Sequence, residues 1–130
     1  MKHALQIGDS RTFQRLVRPT DCATFDSGAV HPVYATFALS RDAEWCCRLF
    51  VLDEKDENEE GIGTMLTVEH RSPALEGTTV DFVATILEIN RHEIICSYEA
   101  RVGERLIAQG KTGQKILLKE KLEKLFQTLS

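Results

Sequence analysis

A long apolar helix in the first half of the chain most constrains how the chain can fold. Between about Tyr34 and Leu52 the residues follow a helical pattern, and the apolar ones spread over much of the helix circumference: Ala35, Ala38, Leu39, Ala43, Cys46, Cys47, Leu49 and Phe50. A helix that is apolar on most of its sides is mostly buried. The rest of the chain must therefore provide a layer that surrounds this helix.

The second half of the chain is patterned as strands. Thr64–His70 is predicted as one strand, and Thr78–Asn90 alternates apolar with mixed positions, the apolar ones being Val80, Phe82, Ala84 and Ile86. Short turns then lead into Ile94–Arg101 and Arg105–Leu118. Three successive strands joined by short turns predict an antiparallel meander. Gly110 and Gly113 are expected to mark bulges or close contacts.

The remaining segments complete an α+β prediction. Asp9–Val17 is expected to form a first strand, Pro19–Pro32 a loop, and Lys119–Leu129 a short amphipathic helix. At 130 residues the chain has the length for one core, so we expect a single domain over residues 1–130. One buried helix with antiparallel strands is an α+β arrangement.

Composition argues against several classes of partner. The formal net charge is −4, which gives no reason to expect the basic face that binds nucleic acid. No apolar run is long enough to span a bilayer, and the start of the chain lacks the apolar stretch of a signal peptide. We therefore expect a cytoplasmic protein that binds neither nucleic acid nor membrane.

Metal and thiol chemistry are not expected either. None of the four cysteines belongs to a Cys-x-x-Cys pair, and Cys46 and Cys47 lie among apolar residues, where thiols tend to be inert. The acidic run Asp53–Glu60 invites a calcium hypothesis, but an EF-hand loop starting at Asp56 would have Thr67 instead of Glu at its twelfth position. A solvated loop is the better interpretation of this run, and we expect no metal site.

Glu44 is the first candidate for chemistry, because it is a carboxylate in the middle of the apolar helix. Arg48 lies one turn on and Arg41 nearly one turn back, so an ordinary surface ion pair is one interpretation. The other is a general base or nucleophile, whose pKa burial would raise towards the working pH.

His70 is the second candidate, at the end of the strand predicted from Thr64. Strand alternation puts Leu66, Val68 and His70 on one face. If that face packs on the helix, His70 points towards the side of Glu44. A histidine at a strand end can equally be structural or exposed.

Thr36 is the third candidate, and it has a structural alternative, because threonine at a helix start commonly caps free backbone N–H groups. An ideal helix would separate Thr36 from Glu44 by about 12 Å. Either Thr36 lies in the loop before the helix, or one site takes the two residues from two subunits.

These residues belong to an ordered set of short motifs. The chain reads Asp21-Cys-Ala-Thr-Phe25-Asp-Ser27-Gly28-Ala-Val30-His-Pro-Val33-Tyr-Ala35-Thr36, then Glu44-Trp45, then Gly63-Thr64 ahead of Val68-Glu-His70. The order and spacing resemble the hotdog-fold thioesterases of the fluoroacetyl-CoA thioesterase type, over about Leu5 to Ile116. No single motif is specific, but the ordered set is.

The resemblance implies a hotdog fold, in which a curved antiparallel sheet wraps around a central helix. It further implies an acyl-CoA thioesterase with Thr36, Glu44 and His70 as catalytic residues and Gly63, Thr64 and Phe37 near the substrate. Coenzyme A would enter only as part of the substrate, with no other cofactor. The family's sites lie at a dimer interface, so we expect a homodimer or a dimer of dimers.

Two features keep alternatives open. Ser40-Arg41-Asp42 and Phe37 depart from the small and apolar residues usual in the family, and the two charges could pair with each other, pair with Glu44 and Arg48, or form a polar acyl pocket. Fluoroacetyl-CoA is therefore not assumed as the substrate. A non-catalytic hotdog module that binds acyl-CoA or a small ligand is the alternative function. Arg105, Lys111 and Lys115 are basic residues available for CoA phosphates.

Overall fold

The long helix forms the centre of the structure. The computed structural model describes residues 1–130. In chain order the elements are β1 (Ser10–Leu16), a 3-10 turn (Pro19–Asp21), β2 (Cys22–Phe25), β3 (Gly28–Tyr34), α1 (Thr36–Glu54), β4 (Glu59–Leu66), β5 (Glu69–His70), β6 (Thr79–Asn90), β7 (Glu93–Val102), β8 (Arg105–Leu118) and α2 (Lys119–Leu129). The buried side of α1 carries Ala38, Leu39, Asp42, Ala43, Cys46, Cys47, Phe50, Val51 and Glu54.

An antiparallel sheet packs against this helix, which confirms the α+β prediction. Its strand order is β1-β6-β7-β8-β4, and β5 pairs with β8 beyond the end of β4. The alternation predicted for β6 is also confirmed, because Val80, Phe82, Ala84 and Ile86 are at most 1% exposed. Strands β1 and β4 form the two edges, one on each side of α1.

The segment predicted as a loop at Pro19–Pro32 contains a hairpin. Strands β2 and β3 pair antiparallel with two register shifts, outside the main sheet. The prolines and the glycine of this segment predicted a loop instead of strands, because these residues also mark irregular loops. The hairpin matters for the site, since β3 leads directly into the start of α1.

The prediction of one strand over Thr64–His70 is wrong. Strand β4 starts earlier, at Glu59 in the acidic run, and the chain leaves the ladder between Leu66 and Glu69 before β5 begins. The carbonyl of Thr67 accepts a hydrogen bond from the Tyr98 hydroxyl at 2.7 Å. This route requires Gly110, because a Cβ there would lie 2.0 Å from the Thr67 oxygen, which confirms the predicted close contact.

Candidate active site

Thr36 and His70 meet at the start of α1. Thr36 is the first helical residue, the N-cap is Ala35, and no side chain caps the helix, so the capping interpretation of Thr36 is wrong. Instead, Thr36 Oγ1 lies 2.9 Å from His70 Nδ1. A hydrogen bond to one ring nitrogen fixes the orientation of the imidazole and leaves the other nitrogen for chemistry.

Backbone hydrogen bonds from several elements hold these two residues in place. The N–H of Ala35 donates to the carbonyl of Asp21 at 2.8 Å, which fixes the entry to α1. On the other side, His70 pairs with Ala108 in β8, and the N–H of Arg71 donates to the carbonyl of Ile107 at 2.7 Å. Residues far apart in the sequence thus converge on one contact.

The imidazole of His70 has one uncommitted nitrogen. Its Nε2 atom is buried and has no hydrogen-bond partner within the chain. Burial lowers the pKa of His70, although a backbone hydrogen bond to Ser72 acts in the opposite direction. Since the ordinary histidine pKa is about 6.5, His70 is neutral at pH 7. The imidazole borders a groove of about 320 Å³ lined by Thr36, His70, Arg71, Ser72 and Pro73.

Glu44 lies elsewhere, on the side of α1 that faces β4. Neither expected arginine pairs with it, because Arg48 contacts Glu60 at 2.8 Å and Arg41 contacts buried aspartates. The surface ion-pair interpretation of Glu44 is therefore wrong. Its carboxylate is exposed and lies against Gly63, where an added Cβ would be 2.8 Å from Glu44 Oε1.

One chain therefore brings together Thr36 and His70, and separately Glu44 and Gly63. Because Thr36 is part of α1, the helical rise separates it from Glu44 by about 12 Å. The expectation that His70 faces Glu44 is wrong within one chain. The strand break before β5 ends the alternation from which it was drawn, and Leu66 is exposed instead of packed on the helix.

The other expected site residues lie near these two groups. Thr64 is exposed on β4, and its hydroxyl donates to Glu93 Oε2 at 2.7 Å. Phe37 is 54% exposed beside Thr36, and its ring packs edge-on against Phe25 at 6.3 Å between centroids. Phe25 belongs to the hairpin that was not predicted. Its aromatic side chain in an otherwise polar segment is the feature of the sequence that could have indicated this packing.

The charged residues that depart from the family pattern form a buried cluster. Asp42 accepts hydrogen bonds from Arg15 at 3.0 and 3.1 Å, from Arg41 at the same distances, and from the Tyr34 hydroxyl. Burial acts to raise the pKa of the Asp42 carboxyl, but these hydrogen bonds outweigh it and lower the pKa overall. Of the alternatives left open, Arg41 and Asp42 thus pair with each other and not with Glu44.

Asp21 completes the cluster. Its buried carboxylate binds Arg18 and Arg41 at 2.8 and 2.9 Å. The Arg18 guanidinium holds the pKa of Asp21 well below its usual range. Since the Asp21 carbonyl also receives the Ala35 N–H, the cluster ties the hairpin to the start of α1.

The basic residues considered for CoA phosphates differ in their contacts within the chain. Arg105 donates through Nη1 to the Ser72 hydroxyl and to the Pro73 carbonyl, so it braces the segment after His70. Lys111 and Lys115 are exposed on β8. No three potential metal ligands lie together, and no helix has the length and hydropathy needed to cross a bilayer.

Comparison with known proteins decides the family. Residues 17–120 match the family model described as fluoroacetyl-CoA-specific thioesterase, FlK. This chain belongs to the FlK family. Like the family, it is a thioester hydrolase. A search of curated proteins gives no significant match.

Solved structures agree with this assignment. A Thermus thermophilus hypothetical protein, described as a thioesterase superfamily member, is 34% identical over 98% of this chain and 94% of its own, with a TM-score of 0.93. A variant of the fluoroacetyl-CoA-specific thioesterase FlK matches over 99% and 100% of the two chains, with 19% identity and a TM-score of 0.89. A hot-dog-like protein from Thermanaerovibrio acidaminovorans matches at 20% identity over 94% and 90%, with a TM-score of 0.87. The fold of this FlK-family chain is therefore the hotdog fold.

Proposed function

We propose that this chain, as one domain over residues 1–130, hydrolyses the thioester of a small or polar acyl-CoA. Glu44 acts as general base or nucleophile, and His70 and Thr36 assist it. The observation that carries the proposal is the Thr36–His70 hydrogen bond, which leaves the buried Nε2 of His70 without a partner. A buried polar atom without a partner is costly, and a bound substrate would supply that partner.

The assembled site takes its residues from two copies of the chain. Glu44 and Gly63 of one copy face Thr36 and His70 of the other, because one regular helix cannot bring Thr36 and Glu44 together. Strand β4 supports this arrangement, since it is a sheet edge with Met65 and Leu66 each 39% exposed. Exposed edge strands need covering, and a second copy provides it in a homodimer or in a dimer of dimers.

The reaction uses the charge of Glu44 and the neutral imidazole of His70. In the base route, Glu44 takes a proton from water as the water oxygen attacks the thioester carbonyl, and the C–S bond then breaks. In the nucleophilic route, a Glu44 oxygen attacks the carbonyl, the C–S bond breaks to release the coenzyme A thiolate, and water hydrolyses the resulting anhydride. Neutral His70 has one ring proton: when the Thr36 hydroxyl donates to Nδ1, that proton is on Nε2, from which it stabilises the carbonyl oxygen or reaches the leaving thiolate.

Gly63, Thr64 and Phe37 complete the proposed site. Backbone N–H groups at Gly63 and Thr64 stabilise the oxyanion. Phe37, exposed beside Thr36, borders the acyl group. The only cofactor chemistry is the coenzyme A of the substrate itself.

Replacement of Glu44 by Gln tests the chemistry, because it keeps the shape and removes the charge. We expect kcat for acyl-CoA hydrolysis, read as released thiol, to fall about a hundredfold or more, with little change in substrate binding. Glu123→Gln, an exposed change on α2, is the control and should match the parent. Equal rates for the parent and Glu44→Gln would contradict the assignment of Glu44 as general base or nucleophile. A parent that binds acyl-CoAs but turns over none of a broad panel would be a binding module instead.

A mixing experiment tests whether the site is shared between copies. Glu44→Gln and His70→Ala should each have little activity alone, but a mixed dimer would contain one intact site and one doubly altered site. Statistical mixing should then restore about a quarter of the parental activity, because half of the dimers are mixed and each has one working site. No recovery would assign the site to a single subunit. Light scattering at micromolar concentration should also give at least twice the 14.7 kDa chain mass.

A further inference from the structure

A second groove lies between α1 and β1. It has a volume of about 300 Å³ and is lined by Phe13, Arg15, Arg41, Asp42 and Trp45. Arg15 and Phe13 belong to β1, the sheet edge farthest from β4. The groove therefore stays open in a dimer that forms through β4.

The guanidinium groups in this groove are held rigidly but are not fully used. Arg15 binds Asp42 through Nε and Nη2, and Arg41 binds its aspartates through the same two atoms. Nη1 of each arginine makes no hydrogen bond within the chain. Arg15, Arg18 and Arg41 share the two carboxylates of Asp42 and Asp21 here, so the cluster beside the groove carries one net positive charge. Arginines fixed in advance by a buried carboxylate lose little side-chain freedom on binding an anion.

An aromatic surface lies beside these donors. Trp45 is 41% exposed in the middle of α1, although the indole is among the most apolar side chains that a surface can present. The Arg15 guanidinium lies over the Phe13 ring at 5.2 Å. The groove thus offers a flat ring for stacking next to two free guanidinium Nη1 groups, and a phosphate has enough oxygens to accept hydrogen bonds from both.

We propose that this groove binds a nucleotide, a ligand that joins a phosphate to a planar base. The phosphate contacts Arg15 and Arg41, and the base stacks on Trp45. Two sources share this chemistry: a free nucleotide, and the nucleotide end of a coenzyme A ester. The site does not depend on the catalytic assignment of Glu44, His70 and Thr36.

The fluorescence of Trp45 reports binding directly, because it is the only tryptophan in the chain. We expect AMP to quench it with a Kd of about 0.1–1 mM, the range of a small ligand with few contacts. Adenosine lacks the phosphate and inorganic phosphate lacks the ring, so each should bind at least about tenfold more weakly. No response to AMP up to about ten times that Kd range, by fluorescence and by calorimetry, overturns the proposal.

Two variants locate the binding. Arg41→Gln should weaken AMP binding about tenfold, which is the scale for loss of a charge-assisted hydrogen bond. Arg11→Gln is the control for loss of an arginine, because Arg11 lies on β1, pairs with a carboxylate and stacks on a ring, as Arg15 does, but is outside the groove. If Arg41→Gln does not fold, Trp45→Ala followed by calorimetry replaces it. AMP affinity unchanged in the Arg41 or Trp45 variant would contradict the proposal, as would an equal loss in Arg11→Gln.

Competition kinetics then separate the two sources. AMP that raises KM for the acyl-CoA, and that loses this effect in Arg41→Gln, assigns the groove to the nucleotide end of the substrate. AMP that binds without changing KM assigns it to a free nucleotide. Because binding is measured without turnover, failure of the thioesterase proposal would leave this test intact.

Discussion

Asp42 and Glu44 are two residues apart on α1, and their charges are used in opposite ways. Asp42 is 1% exposed and surrounded by donors from β1, β3 and its own helix. Glu44 is exposed, has no ion pair, and lies against a glycine that leaves room for its carboxylate. A charge whose partners are all satisfied stabilises a fold, whereas a charge without partners is free to act on a ligand.

This contrast predicts that the largest effect on stability comes from Asp42. Its replacement by Ala leaves two guanidiniums and the buried Tyr34 hydroxyl without their shared partner. We expect the free energy of unfolding to fall by about 2–3 kcal/mol, below the usual cost of breaking a buried pair because both arginines are partly exposed. Urea unfolding measures this loss. Glu44→Ala is the comparison and should stay within about 0.5 kcal/mol of the parent. Similar losses at both positions would contradict the division of roles.

A substitution at Gly63 tests whether the position of the Glu44 carboxylate matters, without replacing Glu44 itself. In Gly63→Ala the new Cβ meets the mobile end of Glu44, so we expect the carboxylate to move, kcat to fall about tenfold and stability to change little. Gly61→Ala, on the same strand, is the matched control. Its Cβ meets the buried Val51 side chain at 2.6 Å, so we expect it to cost about 1–3 kcal/mol of stability. Unchanged kcat in Gly63→Ala at matched folding would show that the position of Glu44 does not matter.

The sequence predicted the elements of this fold better than the contacts between them. Helix α1 was expected over about Tyr34–Leu52 and spans Thr36–Glu54, and the meander and α2 also agree, because long periodic segments carry their own signal. The Arg15–Asp42 pair joins residues 27 positions apart, so helical spacing rules were unable to find it. Likewise, alternation assigned His70 to the Glu44 side because nothing in the residues marked the strand break that turns it towards Thr36. Pairings between separate elements depend on the tertiary path, which periodicity does not specify.

The smallest effect we predict is a pH dependence of stability that comes from His70 and not from the buried cluster of Asp21 and Asp42. Burial lowers the pKa of His70, so as pH falls the unfolded chain binds a proton at this residue before the folded chain does. The contribution of His70 to stability is therefore complete above its ordinary pKa of about 6.5 and is lost as pH falls below that value. The carboxylates of Asp21 and Asp42 also have lowered pKa values, but their contribution is lost only below the ordinary aspartate pKa of about 3.9. Between about pH 7.5 and pH 5.5 the contribution of His70 to stability thus changes, while the contribution of the buried cluster does not.

Urea unfolding of the parent and of His70→Gln at these two pH values isolates the effect. We expect the parent to lose more stability than the variant on acidification, by less than about 1 kcal/mol because His70 is only half-buried. Asp42→Asn serves as the control and should show the same loss between these pH values as the parent, since Asp42 remains ionised in both conditions. If His70→Gln loses as much stability as the parent, protonation of the half-buried imidazole is not what destabilises the fold in acid. A pH dependence that disappears in Asp42→Asn instead would place the responsive group in the buried cluster.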